Sequence, residues 1–528
     1  MFSLNYTKYN REKMKVELAG VNVPTKVLDQ VLNELPEEKR EHFKERLTPI
    51  ILAAAYARIS RSEKSVSELV DEAMEDVPKA KKSAQEIAFG MSHQSIADHA
   101  SFNFNIEGVS RLVIEDIEAR RIAGYTEKSQ RYVTLDGDYV KPKEFSPEDL
   151  AKFEKLVALQ NNFYFKNREK LVEHLKTRFP TIPSRDLEGK AKEDARYSLS
   201  LATQAQLGCT YGGQTAEHAI RLSKYSDLEE TKEFGRKLAE AVKDYEEVVQ
   251  LIDPETFKKF NQGRELQDDS LRYTRGDMRE AVRKVFRGYE EETLTPVEFI
   301  SGLKHRGVNS KNHGVDLFVS NNPDLNIIAS ILFSNSKKNF GTCYSIAHFI
   351  LKDGRGEEFM KECLKHIGPH DKVPREFEAG NLIYSADISS SCFAQLKRHR
   401  MTSLLKQDYN PQLGCVIPES IREIGAEEEL KEVCKKSSHL YHEFLDRYGK
   451  AAEYCLTNAH KRRVLLPLNM RELYHISRVR EDIHAQWEIR ELTGKMSELA
   501  RNIAPVSTML LAGKHEFNDT RKRVYGKN

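Results

Sequence analysis

The sequence has no apolar run long enough to cross a lipid bilayer. The longest candidate, Pro49–Ala57, is alanine-rich and about half of the roughly 18 residues that a span needs. Residues 1–15 mix Asn, Tyr, Lys and Glu, so they also lack the apolar core of a secretory signal peptide. These absences predict a cytoplasmic protein without a membrane partner.

Cysteine is sparse, and neither sign of charge is in clear excess. The seven cysteines are scattered and form no C-x-x-C pair, which argues against a disulfide framework and against a zinc site. Lys and Arg number 83 against 81 for Asp and Glu, so the net charge of +2 lacks the basic excess of a general polyanion binder. The sequence therefore predicts reduced thiols, no metal and no nucleic-acid partner.

The chain is too long for one hydrophobic core. A single core rarely organises more than about 250–300 residues, so 528 residues predict at least two domains. Between Asp253 and Asn312 the composition shifts to Lys, Arg, Gly and Glu, with few apolar residues. We interpret residues 253–312 as a linker region between an N-terminal copy, residues 1–252, and a C-terminal copy, residues 313–528.

Hydrophobic periodicity predicts both strands and helices. Phe102–Ile106 and Leu382–Ile388 alternate apolar with other residues at period two, as half-buried strands do. Each of these strands leads into an arginine-rich segment. Helical spacing or composition covers much of residues 25–90, 145–175, 186–250, 426–458 and 470–502.

The order of these elements is the same in the two halves. Arg121 matches Arg400, and Ala195-Arg196 matches Arg462-Arg463 further along. We therefore predict an α+β protein built from two pseudo-symmetric copies of one fold, each a twisted sheet with flanking helices.

Two polar stretches suit a phosphorylated ligand. One is Gln-Leu-Lys-Arg-His-Arg-Met-Thr-Ser at residues 395–403, and the other is Glu-Lys-Ser-Gln-Arg-Tyr at residues 127–132. Guanidinium groups bind phosphate through paired N–H donors, and a neighbouring His can donate to or accept from the same ligand. A basic segment alone is more often a solvated turn. A third element, from Asn469 to Arg490, changes that interpretation.

Together the three elements resemble the flavin-dependent thymidylate synthases, whose hallmark reads R-H-R-x-x-S-x-N-E-x-S-x-R-Y. That family makes thymidylate from deoxyuridylate, and the resemblance implies FAD, NADPH and 5,10-methylenetetrahydrofolate as cofactors. It also implies dUMP and folate as ligands. Each half of this chain keeps a different part of the hallmark.

The family binds each nucleotide between two subunits, so the resemblance assigns substrate contacts to both halves. The catalytic role of polarising the uracil ring goes to Arg480. The residues implied to bind the nucleotide are Gln395, Arg398, Glu127, Ser129, Arg131 and Arg196.

The resemblance also implies contacts to the flavin. In the first half, His93, Ser95 and Asp98 are similar to the family's H-x-[ST]-x-x-[ED]-H segment. His475 stands where the family often has Asn. The second-half residues implied to bind the flavin are His399, Arg400, Asn469, Arg471 and His475.

The losses in the two halves are complementary. The first half has Asp116, Ala119 and Gly124 where the hallmark has Gln, Arg and Ser, and the second half has Lys, Asp and Asn at positions 406, 408 and 410. We predict one complete nucleotide site shared by the halves, an inactive reciprocal site, and a homodimer of the tandem chain.

Two alternatives remain open from the sequence. The same scaffold could methylate or hydroxymethylate a different pyrimidine nucleotide. The protein could also be a non-catalytic nucleotide-binding or regulatory relative that has lost the flavin, which Gly124 and Gln214 would favour.

Overall fold

The computed structural model describes residues 25–59, 62–86, 94–131, 133, 135–224, 226–245, 304–309, 314–319 and 322–526. The chain divides into two compact units. The N-terminal unit comprises residues 1–102, 211–217 and 242–265, and the main unit comprises residues 103–210, 218–241 and 266–528. Among the described residues, no helix is both long and apolar enough to cross a membrane.

The described part of the N-terminal unit is mainly helical. Its third helix is the most apolar and buries most of its side chains, while a capping box at Ser65 and Glu68 starts the fourth. The helices are α1 (Thr25–Glu34), α2 (Glu37–Arg46), α3 (Ile50–Arg58), α4 (Val66–Glu75) and α5 (Val77–Gln85), followed by a 3-10 helix over Gln94–His99.

The first half of the chain contributes a three-stranded sheet with the order β1–β3–β2. Its strands are β1 (Ser101–Ser110), β2 (Ala123–Glu127) and β3 (Gln204–Gly212). The accompanying helices are α6 (Arg111–Ile117), α7 (Pro147–Arg178), α8 (Ser184–Ala195), α9 (Gly213–Lys224) and α10 (Glu229–Ala241).

The second half contributes a five-stranded antiparallel sheet with the order β4–β5–β6–β8–β7. Its strands are β4 (Lys304–Asn309), β5 (Gly314–Val319), β6 (Asn381–Ser389), β7 (Leu405–Lys406) and β8 (Lys461–Asn469). Leu382, Tyr384, Ala386 and Ile388 all point into the core, because alternate residues of a strand share one face.

The described part of the second half also contains nine α-helices. They are α11 (Pro323–Ser334), α12 (Phe340–Lys352), α13 (Gly356–Leu364), α14 (Ser390–Leu396), α15 (Glu419–Glu423), α16 (Glu427–Tyr448), α17 (Met470–Arg480), α18 (Trp487–Ile503) and α19 (Phe517–Tyr525).

The two sheets share a pairing pattern. In each, a long strand runs into a short helix capped by a serine side chain, Ser110 before α6 and Ser389 before α14. In each, that strand (β1 or β6) pairs with the strand two further along the chain (β3 or β8), which in turn pairs with the short strand that lies between them in sequence (β2 or β7).

The predicted α+β class is confirmed, and so is the strand over Leu382–Ile388. Residues 186–250, predicted to be mostly helical, contain α8, α9 and α10, but the prediction missed β3 at Gln204–Gly212. There Ala205, Leu207, Cys209 and Tyr211 are buried at period two, a strand signal that the helical interpretation overlooked. The predicted helix over 470–502 is two helices, interrupted at residues 481–486.

The predicted domain boundaries at 252 and 312 stay predictions. Strand β4 lies inside the predicted linker, and residues 246–303 lie outside the described residues.

Candidate functional site

The carboxylate of Glu127 lies at the end of β2 among cations from both halves of the chain. Its Oε2 is 3.6 Å from Lys397 Nζ and 3.7 Å from the Arg398 Nη2, and its Oε1 is 4.0 Å from the buried Arg111 guanidinium. Burial raises the pKa of Glu127, but Lys397, Arg111 and Arg398 more than offset that effect and lower it. Glu127 is therefore ionised and holds the arginine-rich segment against β2.

Arg480, at the end of α17, is bonded to the arginine-rich segment. Its Nε donates to His399 Nε2 at 2.8 Å, and its Nη1 donates to Gln395 Oε1 at 3.2 Å. In the described part of the chain, no carboxylate lies within ion-pair distance of Arg480. Its guanidinium is thus oriented by neutral acceptors and keeps its positive charge uncompensated.

Arg131 and Arg398 both lie close enough to Arg480 for their charges to act on it, and we name these three residues the arginine cluster. Burial, and then the charges of Arg398 and Arg131, lower the pKa of Arg480 to about 10. Arg398 is well exposed, whereas Arg131 bonds to the His484 carbonyl at 3.2 Å and forms an ion pair with Glu193. A cluster of three cations from both halves is suited to a dianionic phosphate.

Arg196 lies beside this cluster and is buried. Its Nε donates to the Glu193 carbonyl at 3.2 Å, while its Nη2 has no hydrogen-bond partner. Burial lowers the pKa of Arg196, and Arg131 and Arg111 lower it further. The Nε2 of Gln130 is a second buried donor without a partner. Such unmet donors are costly, and an acceptor-rich ligand would satisfy them.

Ser129 shapes the turn that presents Arg131. Its hydroxyl accepts a hydrogen bond from the Arg131 backbone N–H at 3.2 Å, a local bond typical of serine turns. The structure therefore brings together, in the main unit, residues 127–131 of the first half and residues 395–400 and 480 of the second.

Some of the residues predicted to contact the flavin lie on or near α17 and the arginine-rich segment. Asn469 accepts the Glu472 backbone N–H at 2.9 Å as the N-cap of α17, and Arg471 bonds to Val373 O at 3.1 Å and Glu378 Oε1 at 2.9 Å. Arg400 donates to the Arg121 carbonyl at 3.4 Å, and His475 is exposed.

The other residues predicted to contact the flavin are His93, Ser95 and Asp98 of the first half. His93 lies outside the described residues. Ser95 and Asp98 lie on the 3-10 helix of the N-terminal unit, where burial raises the pKa of Asp98. Asn469, Arg471 and Arg400 each already make a hydrogen bond within the protein, and their remaining donors are of the kind that suits a group rich in acceptor atoms, as a flavin is.

A buried ion cluster that the sequence interpretation missed occupies the other face of the half-to-half contact. Glu115 is fully buried, 2.5 Å from Arg462, 3.3 Å from Lys406 and 2.7 Å from the Tyr409 hydroxyl. Lys406 Nζ is also 3.4 Å from Asp116. Burial raises the pKa of Glu115, but Arg462, Lys406, Arg111 and Lys397 lower it strongly. These charges neutralise one another.

Two buried glutamates join the halves in matching ways. Glu488 accepts hydrogen bonds from the Ser389 hydroxyl at 2.6 Å and from the Tyr197 hydroxyl. Glu230 accepts from the Ser110 backbone N–H and from the Tyr454 hydroxyl, both at 2.6 Å. The sequence signal for this pair was available, since Tyr-x-Leu occurs at both Tyr197 and Tyr454.

Comparison with known proteins finds one family twice along the chain. The model of the thymidylate synthase complementing protein family matches residues 45–248 and 320–506, together more than half of the chain.

Individual relatives fall into two groups. A flavin-dependent thymidylate synthase of Pyrococcus abyssi is 30% identical over 31% of this chain, and the match spans only 63% of that relative. A UPF0159 protein of Thermoplasma acidophilum is 22% identical over 81% of this chain and 86% of its own length. A UPF0159 protein of Chlamydia muridarum is 22% identical over 76% of this chain and 75% of its own length.

The thymidylate synthase of Pyrococcus abyssi matches about a third of this chain, and the two UPF0159 proteins match most of it. The double match of the family model agrees with the two partial hallmarks at residues 119–132 and 395–410. The chain belongs to the thymidylate synthase complementing protein family, which is that of the flavin-dependent thymidylate synthases.

Proposed function

We propose that this protein is a flavin-dependent thymidylate synthase that methylates dUMP at C5, with methylenetetrahydrofolate as carbon donor, at one site shared by its two halves. The observation that carries the proposal is the arginine cluster. Arg131 comes from the first half, Arg398 and Arg480 come from the second, and the pKa of Arg480 responds to both of the others. No single half supplies this set.

Reciprocal backbone contacts between the two halves support pseudo-symmetry and, with it, a shared site. The backbone N–H of Leu201 bonds to Leu456 O, and that of Asn458 bonds to Leu199 O. Ser200 and Thr457, which lie between these bonded residues, pair in an antiparallel β-bridge. Reciprocal pairing of this kind is expected where equivalent segments meet across a two-fold axis.

Equivalent side chains also meet one another. Arg121 donates to the Arg400 carbonyl at 3.0 Å and Arg400 donates to the Arg121 carbonyl at 3.4 Å, across a separation of 279 residues. Glu118 and Lys397 form an ion pair at 2.9 Å. A residue can touch its own counterpart only near the axis that relates the copies, so these contacts favour two copies of one fold.

The pairing revises one alignment. It matches Leu199 with Leu456, so the counterpart of Arg196 is Glu453, and not Arg463 as the sequence suggested. Arg463 instead pairs with Asp387 at 3.0 Å on the outer face of β8. The second half therefore keeps no equivalent of Arg196, and the division of substrate residues between the halves is sharper than the sequence indicated.

The reciprocal site is filled by the protein's own charges. Lys406, at the position of Glu127, bonds to Asp116 and Glu115, which excludes a phosphate there. Ser223, at the position of Arg480, donates to the Ala219 carbonyl at 2.7 Å. We infer one competent site per chain.

The residues of the complete site have distinct tasks. Arg131, Arg398 and the Ser129 hydroxyl hold the phosphate through charge-assisted hydrogen bonds. Arg480, fixed by Gln395 and His399, faces the pyrimidine carbonyl and stabilises the anion that forms when N3 loses its proton. Arg400, Asn469 and Arg471 hold the flavin, which supplies the hydride chemistry when bound.

The proposal is tested by complementation of a thymidine-auxotrophic bacterium. Arg480→Ala and Arg398→Ala should each abolish growth without thymidine, because each removes a cation from the site. Arg120→Ala is the matched control, since it removes a cation from the first-half copy of the motif, and it should grow.

Growth of both variants without thymidine would contradict the proposal, as would failure of the wild-type chain to complement while it binds no flavin. The second outcome would favour the non-catalytic alternative. Assays with deoxyuridylate and uridylate side by side distinguish methylation of a different pyrimidine nucleotide.

A further inference from the structure

We propose that His399, Glu472 and His475 form a binding site for a divalent transition-metal ion such as Zn²⁺. The sequence offers only the Glu-x-x-His spacing of Glu472 and His475 as a sign of it, because His399 is distant in the chain from the other two. The fold brings one ligand atom from each residue within 4.8 Å of the others.

The spacing fits metal ligands better than it fits a hydrogen bond. His399 Nδ1 is 3.5 Å from Glu472 Oε1, beyond the roughly 2.7–3.2 Å of an N–H···O bond. Ligands at about 2.0–2.1 Å in a tetrahedron around zinc stand about 3.3 Å apart. The two atoms are therefore separated as two metal ligands would be.

Both atoms are buried and lack a partner. Neither His399 Nδ1 nor Glu472 Oε1 has a hydrogen bond, although both residues are more than nine-tenths buried. Two facing unmet polar atoms are costly in a protein interior, and a cation between them would satisfy both.

His475 completes the set and provides access. It lies one helical turn after Glu472 on α17, its ring centroid is 5.5 Å from that of His399, and it is exposed. Two imidazoles and one carboxylate suit Zn²⁺, Co²⁺, Ni²⁺ or Fe²⁺, with positions left for water. His475 also stands where the resemblance leads one to expect Asn, so this ligand departs from the family pattern.

A second cluster, Cys415, Cys434 and His460, is less suited to a metal. Both ring nitrogens of His460 are engaged, Nδ1 with Thr457 at 2.9 Å and 3.0 Å and Nε2 with the Ser438 hydroxyl at 3.0 Å. It therefore has no lone pair to spare, whereas His399 has a nitrogen without a partner.

Metal binding would be coupled to Arg480, a consequence that rests on the proposed function. A neutral imidazole has one donor and one acceptor nitrogen. When Nδ1 binds a metal, the proton sits on Nε2, which then cannot accept the bond now donated by Arg480 at 2.8 Å. The nearby charge of Arg471 is already matched by Glu378 at 2.9 Å. The metal-loaded protein therefore loses the orientation of Arg480.

The test is calorimetric titration of the reduced, full-length protein with Zn²⁺. We expect one equivalent in the wild type, weakened about 100-fold or more in His475→Asn and in Glu472→Gln. His366→Asn, which changes another exposed histidine, should bind as the wild type does. Unchanged binding in both ligand variants would overturn the proposal.

Co²⁺ absorption distinguishes the clusters, and dUMP titration tests the coupling. An intense thiolate-to-metal band would place the ion on Cys415 and Cys434 and contradict the proposal; its absence supports it. Zn²⁺ loading should weaken dUMP binding at least tenfold, and chelation should restore it. A wild-type protein without thymidylate synthase activity that still binds Zn²⁺, with binding weakened in the ligand variants, would contradict the proposed function but support the metal site.

Discussion

Glu127 and Glu453 are both buried carboxylates, yet their surroundings shift their pKa values in opposite directions. Three cations lower the pKa of Glu127 despite its burial. Burial raises the pKa of Glu453 to about 7, Asp408 adds to this, and Arg462 and Lys450 oppose it. In the equivalence of the two halves that we propose, Glu453 is the counterpart of Arg196, so a carboxyl with a raised pKa takes the place of a guanidinium.

This difference predicts a pH-dependent stability for Glu453→Gln. Because the folded state binds the Glu453 proton more tightly than the unfolded chain, wild-type stability should fall as pH rises from about 4.5 to 7. Gln cannot ionise and can still accept the Tyr409 N–H bond, which measures 2.8 Å. The variant should gain on the order of 2 kcal/mol at pH 8 and little at pH 5.

Urea unfolding at the two pH values measures this effect. Glu428→Gln, which changes an exposed glutamate on α16, serves as the control and should show the same small change at both pH values. A Glu453→Gln variant whose stability follows the wild type in parallel across this range would contradict the assigned pKa.

At the scale of elements, one buried glutamate near the start of α10 and one near the start of α18 make equivalent hydrogen bonds. Each accepts from the serine that caps a short helix in its own half and from a tyrosine in the other half. Glu230 is bonded by Ser110 and Tyr454, and Glu488 by Ser389 and Tyr197. The Gln-Trp-Glu segment at residues 486–488 therefore stabilises the contact between the halves, in addition to resembling the family.

Tyr454→Phe and Tyr197→Phe should each destabilise the protein by about 1–3 kcal/mol, because each leaves a buried carboxylate short of a donor. The loss should be larger for Tyr197→Phe, since its hydroxyl also accepts from Gln486 Nε2 at 2.8 Å. Denaturant unfolding of both variants, with Tyr344→Phe on the exposed side of α12 as control, measures the difference. A neutral effect at both positions would argue against equivalent junctions.

At the scale of the whole molecule, the arginine cluster is assembled within one chain. Arg131 and Arg398 both act on Arg480 of the same chain. A homodimer of such chains, which we predict from the resemblance, would then hold two independent sites. This arrangement differs from one in which neighbouring chains complete each other's sites.

Co-expression of Arg131→Ala with Arg398→Ala in the thymidine auxotroph distinguishes the two arrangements. Each mixed dimer keeps one defect in every site if sites are completed within chains, so growth should not be restored. Restored growth would show that sites form between chains. Wild-type chain co-expressed with either variant is the control and should grow.

Much of the candidate site was predictable from the sequence, because residue types that suit a phosphate occur there in a recognisable spacing. Residues 395–403 and 127–131 carry the two parts of the hallmark, and the structure brings both parts to one place in the main unit. The flavin contacts were less predictable: Asn469 caps a helix, Arg471 holds Glu378, and Ser95 and Asp98 lie in the N-terminal unit.

The sequence by itself determined the α+β class, the family and the complementary loss of motif residues, since these depend on residue type and local periodicity. Only the tertiary structure decided that Ser200 pairs with Thr457, that Lys406 is neutralised by Asp116, and that His399 faces Glu472. Those relations join residues far apart in the chain, and their energies depend on burial and on partner geometry that local sequence does not specify.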